Sequence, residues 1–262
     1  MEIVQPYTLK NGVSLVIPVY NEEETLGIII RAAKKADYVG EVIIVDDGST
    51  DNSKAIAEKE GIEVVAHETN QGKGKTLKTG VKHASGKYVL FMDADIRNIA
   101  DVDYKTEKIY LNPKKLNLLT EPLVFGEADM VKATFDRTGG RVTELVAKPL
   151  IQMFFPEVRF SQPLAGEFGL RKADLEKIEL EDDWGVDSGL LIDAVMMGLN
   201  VKEIFIGFRD HPSKPLLGLR DMAYQVSRAI LKRAIKYDRL NGEATIPEYI
   251  DIKEQYLALG GN

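Results

Sequence analysis

The chain has 262 residues, of which 44% are hydrophobic and 29% are charged, and its formal net charge is −7. This composition is typical of a globular protein with one large core, and the negative charge argues against nonspecific binding to nucleic acid. With no cysteine, no apolar stretch near the roughly 20 residues that span a bilayer and no signal-peptide pattern, the sequence predicts a cytoplasmic protein without disulfides.

The first half of the chain alternates between predicted strands and predicted helices. The strands are Val13–Val19, Glu41–Val45, Ile62–Ala66 and Lys87–Met92, and the helices between them are Glu22–Ala36, Asn52–Lys59 and Gly74–Ala84. We expect Asp51 or Thr50 to cap the second of these helices. Strands that alternate with helices of this length indicate βαβ crossovers, so the predicted fold class is α/β with a mostly parallel sheet flanked by helices.

The middle of the chain breaks this alternation. Ile96 to Pro122 is polar, rich in lysine and without clean periodicity, so we expect an irregular excursion at the ligand edge of the sheet. The elements predicted beyond it are a strand at Asp129–Thr134, helices at Thr143–Phe155 and Val186–Met197, a strand at Val201–Phe205 and a helix at Leu216–Tyr237.

The last predicted helix is long and amphipathic. Its apolar face consists of Leu219, Met222, Val226, Ile230 and Ala234. We interpret this face as core packing, and the alternative is the seam of a homodimer.

Asp93-Ala94-Asp95 follows the apolar run Tyr88–Met92. In an open α/β sheet, ligands bind at the edge where the parallel strands end. Two carboxylates one residue apart can hold Mg²⁺ or Mn²⁺ against a diphosphate, as enzymes that use nucleotide sugars require. Because a chain with 41 acidic residues contains such pairs by chance, the position after a strand gives this pair its weight.

Three further polar segments follow the earlier predicted strands. They are Pro18-Val-Tyr-Asn-Glu-Glu-Glu, Val45-Asp-Asp-Gly-Ser-Thr-Asp and Asn70-Gln-Gly-Lys-Gly-Lys. In this order, and followed by Asp93-Ala-Asp, they resemble the nucleotide-sugar half of GT-A glycosyltransferases of the family 2 type over residues 13–95. The resemblance implies nucleotide-sugar contacts by Pro18, Tyr20, Glu22, Asp47, Lys73, Asp93 and Ala94, with Asp95 on the metal.

Each of these motifs also has a plainer interpretation. The segment Asp46–Asp51 could be only a turn followed by a helix cap, and Lys73, Lys75 and Lys78 could form a solvated helix face. The run Gly72-Lys-Gly-Lys-Thr is similar to a phosphate-binding P-loop, but that motif requires glycine at position 69, where threonine stands. A P-loop NTPase is therefore disfavoured.

A second anion-binding pattern opens the helix predicted at Thr143. It reads Gly139-Gly-Arg-Val-Thr-Glu-Leu. Backbone amides at such a helix start, together with the conformational freedom of glycine, form an anion nest. Arg141 can add a bidentate contact to a phosphate or carboxylate, and Thr143 can add a hydroxyl. The alternative is an ordinary glycine-rich turn with a surface arginine.

More motifs in the second half narrow the resemblance. They are Lys148-Pro-Leu, Gln162-Pro-Leu-Ala-Gly-Glu-Phe, Trp184-Gly-Val-Asp-Ser-Gly-Leu-Leu-Ile-Asp and Arg209-Asp-His. With the glycine-rich segment, they resemble glucosyl-3-phosphoglycerate synthases over about residues 13–225. That family transfers glucose from UDP-glucose to 3-phosphoglycerate with retention and uses Mg²⁺ or Mn²⁺.

The resemblance also implies roles for individual residues. The acceptor site would consist of Gly140, Arg141, Val142, Thr143 and Arg209. The sugar pocket would be lined by Gln162, Leu164, Ala165 and Gly166. The metal would be bound by Asp95 and His211, and the expected catalytic residues are Asp187, Lys73 and Asp93.

Asp187 bears on both mechanism and specificity. In inverting family 2 enzymes a carboxylate near this place acts as general base, whereas in retaining relatives it holds a sugar hydroxyl. The acceptor motif favours retention by front-face attack, with UDP leaving beside the metal and Lys73. Glu181-Asp-Asp supplies rival carboxylates or a solvated turn. Since the mycobacterial members of the family are expected to carry glutamate at position 187, the choice of hexose stays open. Related enzymes use GDP-mannose with the same acceptor, so GDP-mannose is the alternative donor.

These motifs predict one continuous GT-A domain, in which residues 1–135 bind the nucleotide sugar and residues 136–262 form the acceptor part and the C-terminal helix. A phosphoglycerate acceptor carries about three negative charges, so converging donors must hold it. A transferase to a lipid phosphate would predict a membrane helix or a basic amphipathic anchor. The alternative from another class is a noncatalytic module that binds sugar nucleotides.

Overall fold

The computed structural model describes residues 12–95, 100–103, 108–111, 113–136, 140–208 and 215–240. The strands are β1 (Val13–Val19), β2 (Val39–Asp46), β3 (Val64–Ala66), β4 (Tyr88–Phe91), β5 (Ala100–Asp103), β6 (Lys108–Leu111), β7 (Met130–Asp136), β8 (Phe168–Arg171) and β9 (Val201–Phe208). The helices are α1 (Leu26–Ala33), α2 (Ser53–Lys59), α3 (Lys73–His83), α4 (Pro113–Val124), α5 (Lys148–Phe154), α6 (Lys172–Leu175), α7 (Val186–Met196) and α8 (Arg220–Lys236). A π-helical turn at Thr143–Ala147 precedes α5, and a 3₁₀ turn at Leu216–Leu219 precedes α8.

One seven-stranded sheet contains strands from both halves of the chain, in the order β3-β2-β1-β4-β8-β7-β9. Neighbouring strands are parallel except at β8, which runs antiparallel to both β4 and β7. Strands β5 and β6 form a separate antiparallel pair. The predicted α/β class with a mostly parallel sheet is confirmed.

The central strand β1 explains why the sheet is covered on both faces. Its sequence Val-Ser-Leu-Val-Ile-Pro-Val is almost entirely apolar, as expected for a parallel strand that is buried on both sides. Leu15 and Ile17 pack into one hydrophobic cluster, which includes Leu26 and Ile30 of α1, whereas Val16 packs into the other. Side chains that alternate along a strand therefore supply two separate core layers.

The region from Ile96 to Pro122 departs from the prediction. In its described part the chain forms the β5–β6 pair and then α4, which begins at Pro113. Proline suits the first turn of a helix, because the amide that it lacks would have no partner there. Leu116, Leu119 and Leu123 of α4 are completely buried, so the helix is stabilised mainly by packing against the sheet.

Smaller differences concern β8 and the start of α1. Strand β8 has only four residues and includes Gly169, so it lacks the length and composition that identify a strand in sequence. Helix α1 begins at Leu26 and not at Glu22, because Asn21 has a φ of 58° and the chain turns before it becomes helical.

The apolar face of α8 belongs to the core. Val226, Ile230 and Ala234 are completely buried in the second hydrophobic cluster, and Leu219 and Met222 pack against it. The core-packing interpretation is therefore confirmed, and this face is covered by the chain itself. Among the described residues, no helix combines the length and hydropathy needed to cross a membrane.

Candidate active site

Four loops meet where the parallel strands β1 to β4 end. Thr25 after β1 donates a hydrogen bond of 2.5 Å from its hydroxyl to the carbonyl of Ala94 after β4. Asn21 after β1 accepts the amide of Thr50 after β2 at 2.8 Å. The predicted nucleotide-sugar loops are therefore physically joined at one edge of the sheet, as the parallel topology requires.

Asp47 organises the loop that leads into α3. Its carboxylate accepts the backbone amides of Gln71 and Gly72, each at 2.9 Å, and lies 2.7 Å from Nδ1 of His67. The other ring nitrogen of His67 is 2.9 Å from the hydroxyl of Thr79. Asp47 is 4% exposed, so its observed role is to fix this loop, and its predicted nucleotide contact stays a prediction. His67 directly follows β3, but no motif in the sequence identifies it as part of this loop.

Lys73, the first residue of α3, bridges two carboxylates from distant parts of the chain. Its Nζ is 2.9 Å from Oδ1 of Asp93 and 2.9 Å from Oδ2 of Asp187. Burial opposes the charge of Lys73, but the two carboxylates outweigh it and hold the pKa of Lys73 above its ordinary value. The three expected catalytic residues are therefore in direct contact, and Lys73 does not belong to a solvated helix face.

One oxygen of Asp187 is left for another donor. The side chain is 1% exposed, and its Oδ2 is bonded to Lys73. Its Oδ1 is buried and, among the described residues, has no hydrogen-bond partner. A buried carboxylate oxygen without a donor is energetically costly, and a ligand hydroxyl would satisfy it.

The segment before β8 lies against Asp93. Because β8 is antiparallel to β4, its beginning and not its end lies at the edge where β4 ends, so residues 164–167 come next to Asp93. A Cβ atom added to Gly166 would lie 2.1 Å from Oδ2 of Asp93. Ala165 is buried, Leu164 is partly buried, and Gln162 donates a long hydrogen bond of 3.5 Å to the carbonyl of Phe135.

The contact at Gly166 leads to a first prediction. Replacing Gly166 with alanine should push Asp93 away from Lys73 and lower the rate of the glycosyl transfer that the resemblance implies by about 10²-fold, since small displacements of reacting groups have effects of this size. Release of UDP from UDP-glucose, the donor that the resemblance implies, measures the effect. A Gly218→Ala variant is the control, because an added Cβ there meets no atom within 4 Å. A Gly166→Ala rate within about threefold of wild type would contradict the prediction.

Asp187 is carried to the site by residues 181–187, here called the 181–187 segment. The amide of Lys75 donates to the carbonyl of Asp182 at 2.9 Å. Gly74 permits this approach, because a Cβ there would lie 2.0 Å from the carbonyl oxygen of Glu181. Within the segment, the ring of Trp184 has its centroid 5.4 Å from Nζ of Lys73, which adds a cation–π contact. Trp184 is the only tryptophan of the chain, and its contact with Lys73 was not foreseen.

A buried ion-pair network attaches the 181–187 segment to α8. Arg233, 3% exposed, is bonded to Glu181, to Oδ2 of Asp193 at 3.1 Å and to the carbonyl of Glu179 at 2.7 Å. Its guanidinium occupies the space next to Gly189, where a Cβ would meet Arg233 Cζ at 2.7 Å. Glu181 is therefore a structural anchor. A fully solvated turn at residues 181–183 is wrong, although Asp182 itself is exposed and pairs with Lys78.

Glu22 and Asp95 place further negative charge beside Asp93. Burial of Glu22, followed by the charges of Asp95 and Asp93, raises the pKa of Glu22 to about 7. Hard carboxylate oxygens in such a setting are the donors that Mg²⁺ and Mn²⁺ prefer, so these residues fit a divalent cation. Within the described ranges no three acidic, histidine or cysteine side chains form a complete metal site. His211, the second predicted ligand, lies outside those ranges.

The predicted acceptor residues open the helix that follows β7. Gly140 accepts the amide of Glu144 at 2.8 Å, which begins the first turn. Val142 and Thr143 are buried and Arg141 is partly buried. The side chain of Val142 packs in the second hydrophobic cluster, so this residue could offer a ligand only its backbone. Arg209 lies outside the described residues.

The remaining predicted contacts lie at the same edge of the sheet. Tyr20 is 48% exposed, directly after the end of β1, and Pro18 is partly buried within that strand. An open sheet edge that carries an Asp-x-Asp pair beside a buried lysine is the arrangement expected of the class that the sequence motifs resemble, the GT-A glycosyltransferases, which take their sugar from a nucleotide.

Comparison with known proteins identifies the family. A family model described as "Glycosyl transferase family 2" matches residues 14–105. Glucosyl-3-phosphoglycerate synthase from Petrotoga mobilis is 32% identical in an alignment of 256 residues that covers 87% of this chain and 75% of that protein. The chain belongs to the glucosyl-3-phosphoglycerate synthase family and is a hexosyltransferase.

Solved structures support the same conclusion. Crystal structures of glucosyl-3-phosphoglycerate synthase from Mycobacterium tuberculosis are 33% identical to this chain. The aligned regions cover 86% of this chain and 82% of the chain in each crystal structure. The complex with Mg²⁺ and UDP has a TM-score of 0.75, and the complex with Mn²⁺, UDP-glucose and phosphoglyceric acid has a TM-score of 0.76.

Proposed function

We propose that this protein transfers glucose from UDP-glucose to 3-phosphoglycerate with the help of Mg²⁺ or Mn²⁺. The observation that carries the proposal is the cluster of Lys73, Asp93 and Asp187 at the sheet edge. Within it, Oδ1 of Asp187 is buried and has no hydrogen-bond donor among the described residues. Support comes from the relatives, which are glucosyl-3-phosphoglycerate synthases, one of them in complex with UDP-glucose and phosphoglyceric acid.

The cluster would bind the donor through its two kinds of charge. Lys73 supplies a permanent positive charge to the diphosphate, because its pKa is held above the ordinary value. Asp187 would accept a sugar hydroxyl at Oδ1, and Asp93 would contact the ribose or the sugar. Asp95 and His211 would hold the cation, which when bound would neutralise charge on the diphosphate. Pro18, Tyr20, Glu22, Asp47, Ala94 and Leu164–Gly166 complete the proposed donor site.

We propose that transfer proceeds with retention. The support is the acceptor motif at residues 139–143, which belongs to retaining relatives, and in this proposal Asp187 orients the sugar through Oδ1 while Oδ2 stays bonded to Lys73. The acceptor hydroxyl then attacks the anomeric carbon from the face that UDP leaves, and its proton passes to the departing phosphate oxygen. Lys73 favours this step by stabilising the charge that develops on that oxygen. An inverting transferase, in which Asp187 acts as general base, is the alternative.

The acceptor site proposed at Gly140, Arg141, Val142, Thr143 and Arg209 yields a second prediction. Replacing Arg141 with alanine should weaken acceptor use by roughly 2–5 kcal/mol, because the charge of the bound phosphoglycerate loses a partly buried partner. Affinity for UDP should stay nearly unchanged. Kinetics at varied 3-phosphoglycerate and calorimetry with UDP measure the two effects separately. Arg159→Ala, which removes an exposed arginine, is the control. An equal loss of UDP affinity would show that Arg141 is misplaced in this proposal.

A panel of donors tests the function directly. UDP-glucose, GDP-mannose and ADP-glucose are each incubated with Mn²⁺, with and without 3-phosphoglycerate, and nucleotide release is measured. Release that 3-phosphoglycerate stimulates with UDP-glucose supports the proposal, and NMR of the product decides between retention and inversion. Faster release with GDP-mannose would identify a mannosyltransferase, and binding without turnover would favour a noncatalytic module.

A cytoplasmic location and a homodimer remain predictions from the sequence.

A further inference from the structure

Lys132 lies on β7 and is completely buried, with its ammonium group next to the backbone carbonyl of Ala165. Its side chain is 0% exposed, and its Nζ donates a hydrogen bond of 2.6 Å to the carbonyl of Ala165. The same ammonium lies 4.7 Å from the centroid of the Phe168 ring. Lysine is almost never fully buried unless its charge has partners, so this position requires a physical reason.

The carboxylates of the site act on the charge of Lys132. Burial is the strongest influence and lowers the pKa of Lys132 to about 8, and the charge of Asp187 opposes it most. Glu167 and Asp93 act in the same direction as Asp187, whereas Lys73 repels Lys132. Burial in turn raises the pKa of Asp187, and the charges of Lys73, which is bonded to it, and of Lys132 oppose this rise.

The two lysines differ in what they can do when a donor binds. Under the proposed function, Lys73 at the start of α3 would share its charge between the incoming diphosphate and Asp187. Lys132 has no exposed surface, so it offers nothing to the ligand directly and acts through its bond to the Ala165 carbonyl. Its hydrogen bond also fixes the carbonyl that precedes Gly166, the residue packed against the carboxylate of Asp93.

We propose that Lys132 is a positioning residue for the sugar of the donor. Through the Ala165 carbonyl it holds the Ala165–Gly166 peptide against Asp93. Because the donor is an ammonium group, this hydrogen bond is stronger than one from an uncharged side chain. The inference rests on the proposed function, because that function assigns sugar recognition to these residues.

The test compares binding of UDP with binding of UDP-glucose, since only the second ligand carries the sugar. Lys132→Met keeps an unbranched side chain only one atom shorter and removes both the charge and the hydrogen bond. Calorimetry with Mn²⁺ present should show about 10- to 100-fold weaker binding of UDP-glucose relative to UDP, the size expected for a lost hydrogen bond to a charged group. Binding of UDP alone should change by less than about threefold.

A matched control separates this role from ordinary stabilisation. Met130 lies two residues earlier on the same strand and is completely buried, so Met130→Ala lowers the melting temperature by leaving a cavity but removes no charge. Its ratio of UDP-glucose to UDP affinity should equal that of wild type. If Lys132→Met also leaves the ratio unchanged, or weakens both ligands equally, Lys132 only stabilises the fold and the proposal is overturned.

A second variant covers the case in which Lys132→Met does not fold. Lys132→Gln retains a hydrogen-bond donor and removes the charge, so the affinity ratio should fall in this variant too, and an unchanged ratio overturns the proposal. The acceptor takes no part in these measurements. Failure of the proposed function would instead appear as wild-type enzyme whose UDP release does not respond to 3-phosphoglycerate, so the two failures are distinguishable.

Discussion

Replacing Asp95 with alanine is expected to abolish glycosyl transfer, with a loss of about 10³-fold or more, because stabilisation of leaving-group charge is the largest catalytic contribution in such reactions. Asp95 lies at the crowded carboxylate edge of the sheet, where its charge contributes to the raised pKa of Glu22. Without Asp95, the proposed cation would lose its described ligand, and the diphosphate would have to leave with its charge poorly compensated.

The measurement is UDP release from UDP-glucose and 3-phosphoglycerate at increasing Mn²⁺ concentration. The wild-type rate should rise with Mn²⁺ and vanish in EDTA, whereas Asp95→Ala should stay near zero throughout. Asp129→Ala is the control. Asp129 lies just before β7 begins, at the edge of the sheet opposite the site, and it pairs with Arg171. If Asp95→Ala keeps a rate that Mn²⁺ still stimulates at wild-type concentrations, Asp95 does not bind the metal.

Replacing Arg233 with methionine should lower the free energy of unfolding by about 3–5 kcal/mol, the usual effect of removing one partner from a buried ion pair. The guanidinium is bonded to Glu181 and Asp193, which are both buried. Lys232 and Lys236 also contact these carboxylates, but both lysines are about half exposed and compensate only in part.

Urea denaturation at neutral pH measures this loss. The control is Arg239→Met, because Arg239 pairs with Glu157 at the surface and its removal should cost less than about 1 kcal/mol. Because Glu181 belongs to the segment that carries Trp184, the tryptophan fluorescence of Arg233→Met should also differ from wild type. Equal stability of the Arg233 and Arg239 variants would mean that the network does not hold α8 to the site.

Because of the same network, the free energy of unfolding should fall as the pH falls. Burial alone would raise the pKa of Glu181, but the charges of Arg233 and Lys232 outweigh it and hold this pKa below its ordinary value. The folded protein therefore binds fewer protons at Glu181 than the unfolded chain. The stability that the ionised Glu181 contributes is complete above the ordinary pKa of glutamate. It is lost as the pH falls through the lowered pKa of Glu181 in the folded protein. In Arg233→Met the loss of stability on acidification should be smaller than in wild type.

The sequence by itself determined the fold class and predicted the edge of the sheet at which a nucleotide sugar would bind. Polar motifs after each of the first four strands were readable because a strand and the loop that follows it are neighbours in the chain. Parallel topology then brings the ends of those strands to one edge. The Asp-x-Asp pair could be proposed as a metal site in this way, whereas the role of Lys73 was implied by the resemblance to a family, and membership of that family agrees with the resemblance.

Only the tertiary structure decided which side chains meet. Lys73 and Asp187 are 114 positions apart, and no local pattern states that they form a pair. The burial of Lys132, the anchoring of Glu181 by α8 and the short antiparallel strand β8 likewise depend on contacts between distant segments. Sequence patterns report local propensity and the side of an element that is buried, whereas a charge becomes buried only when remote segments supply its partners.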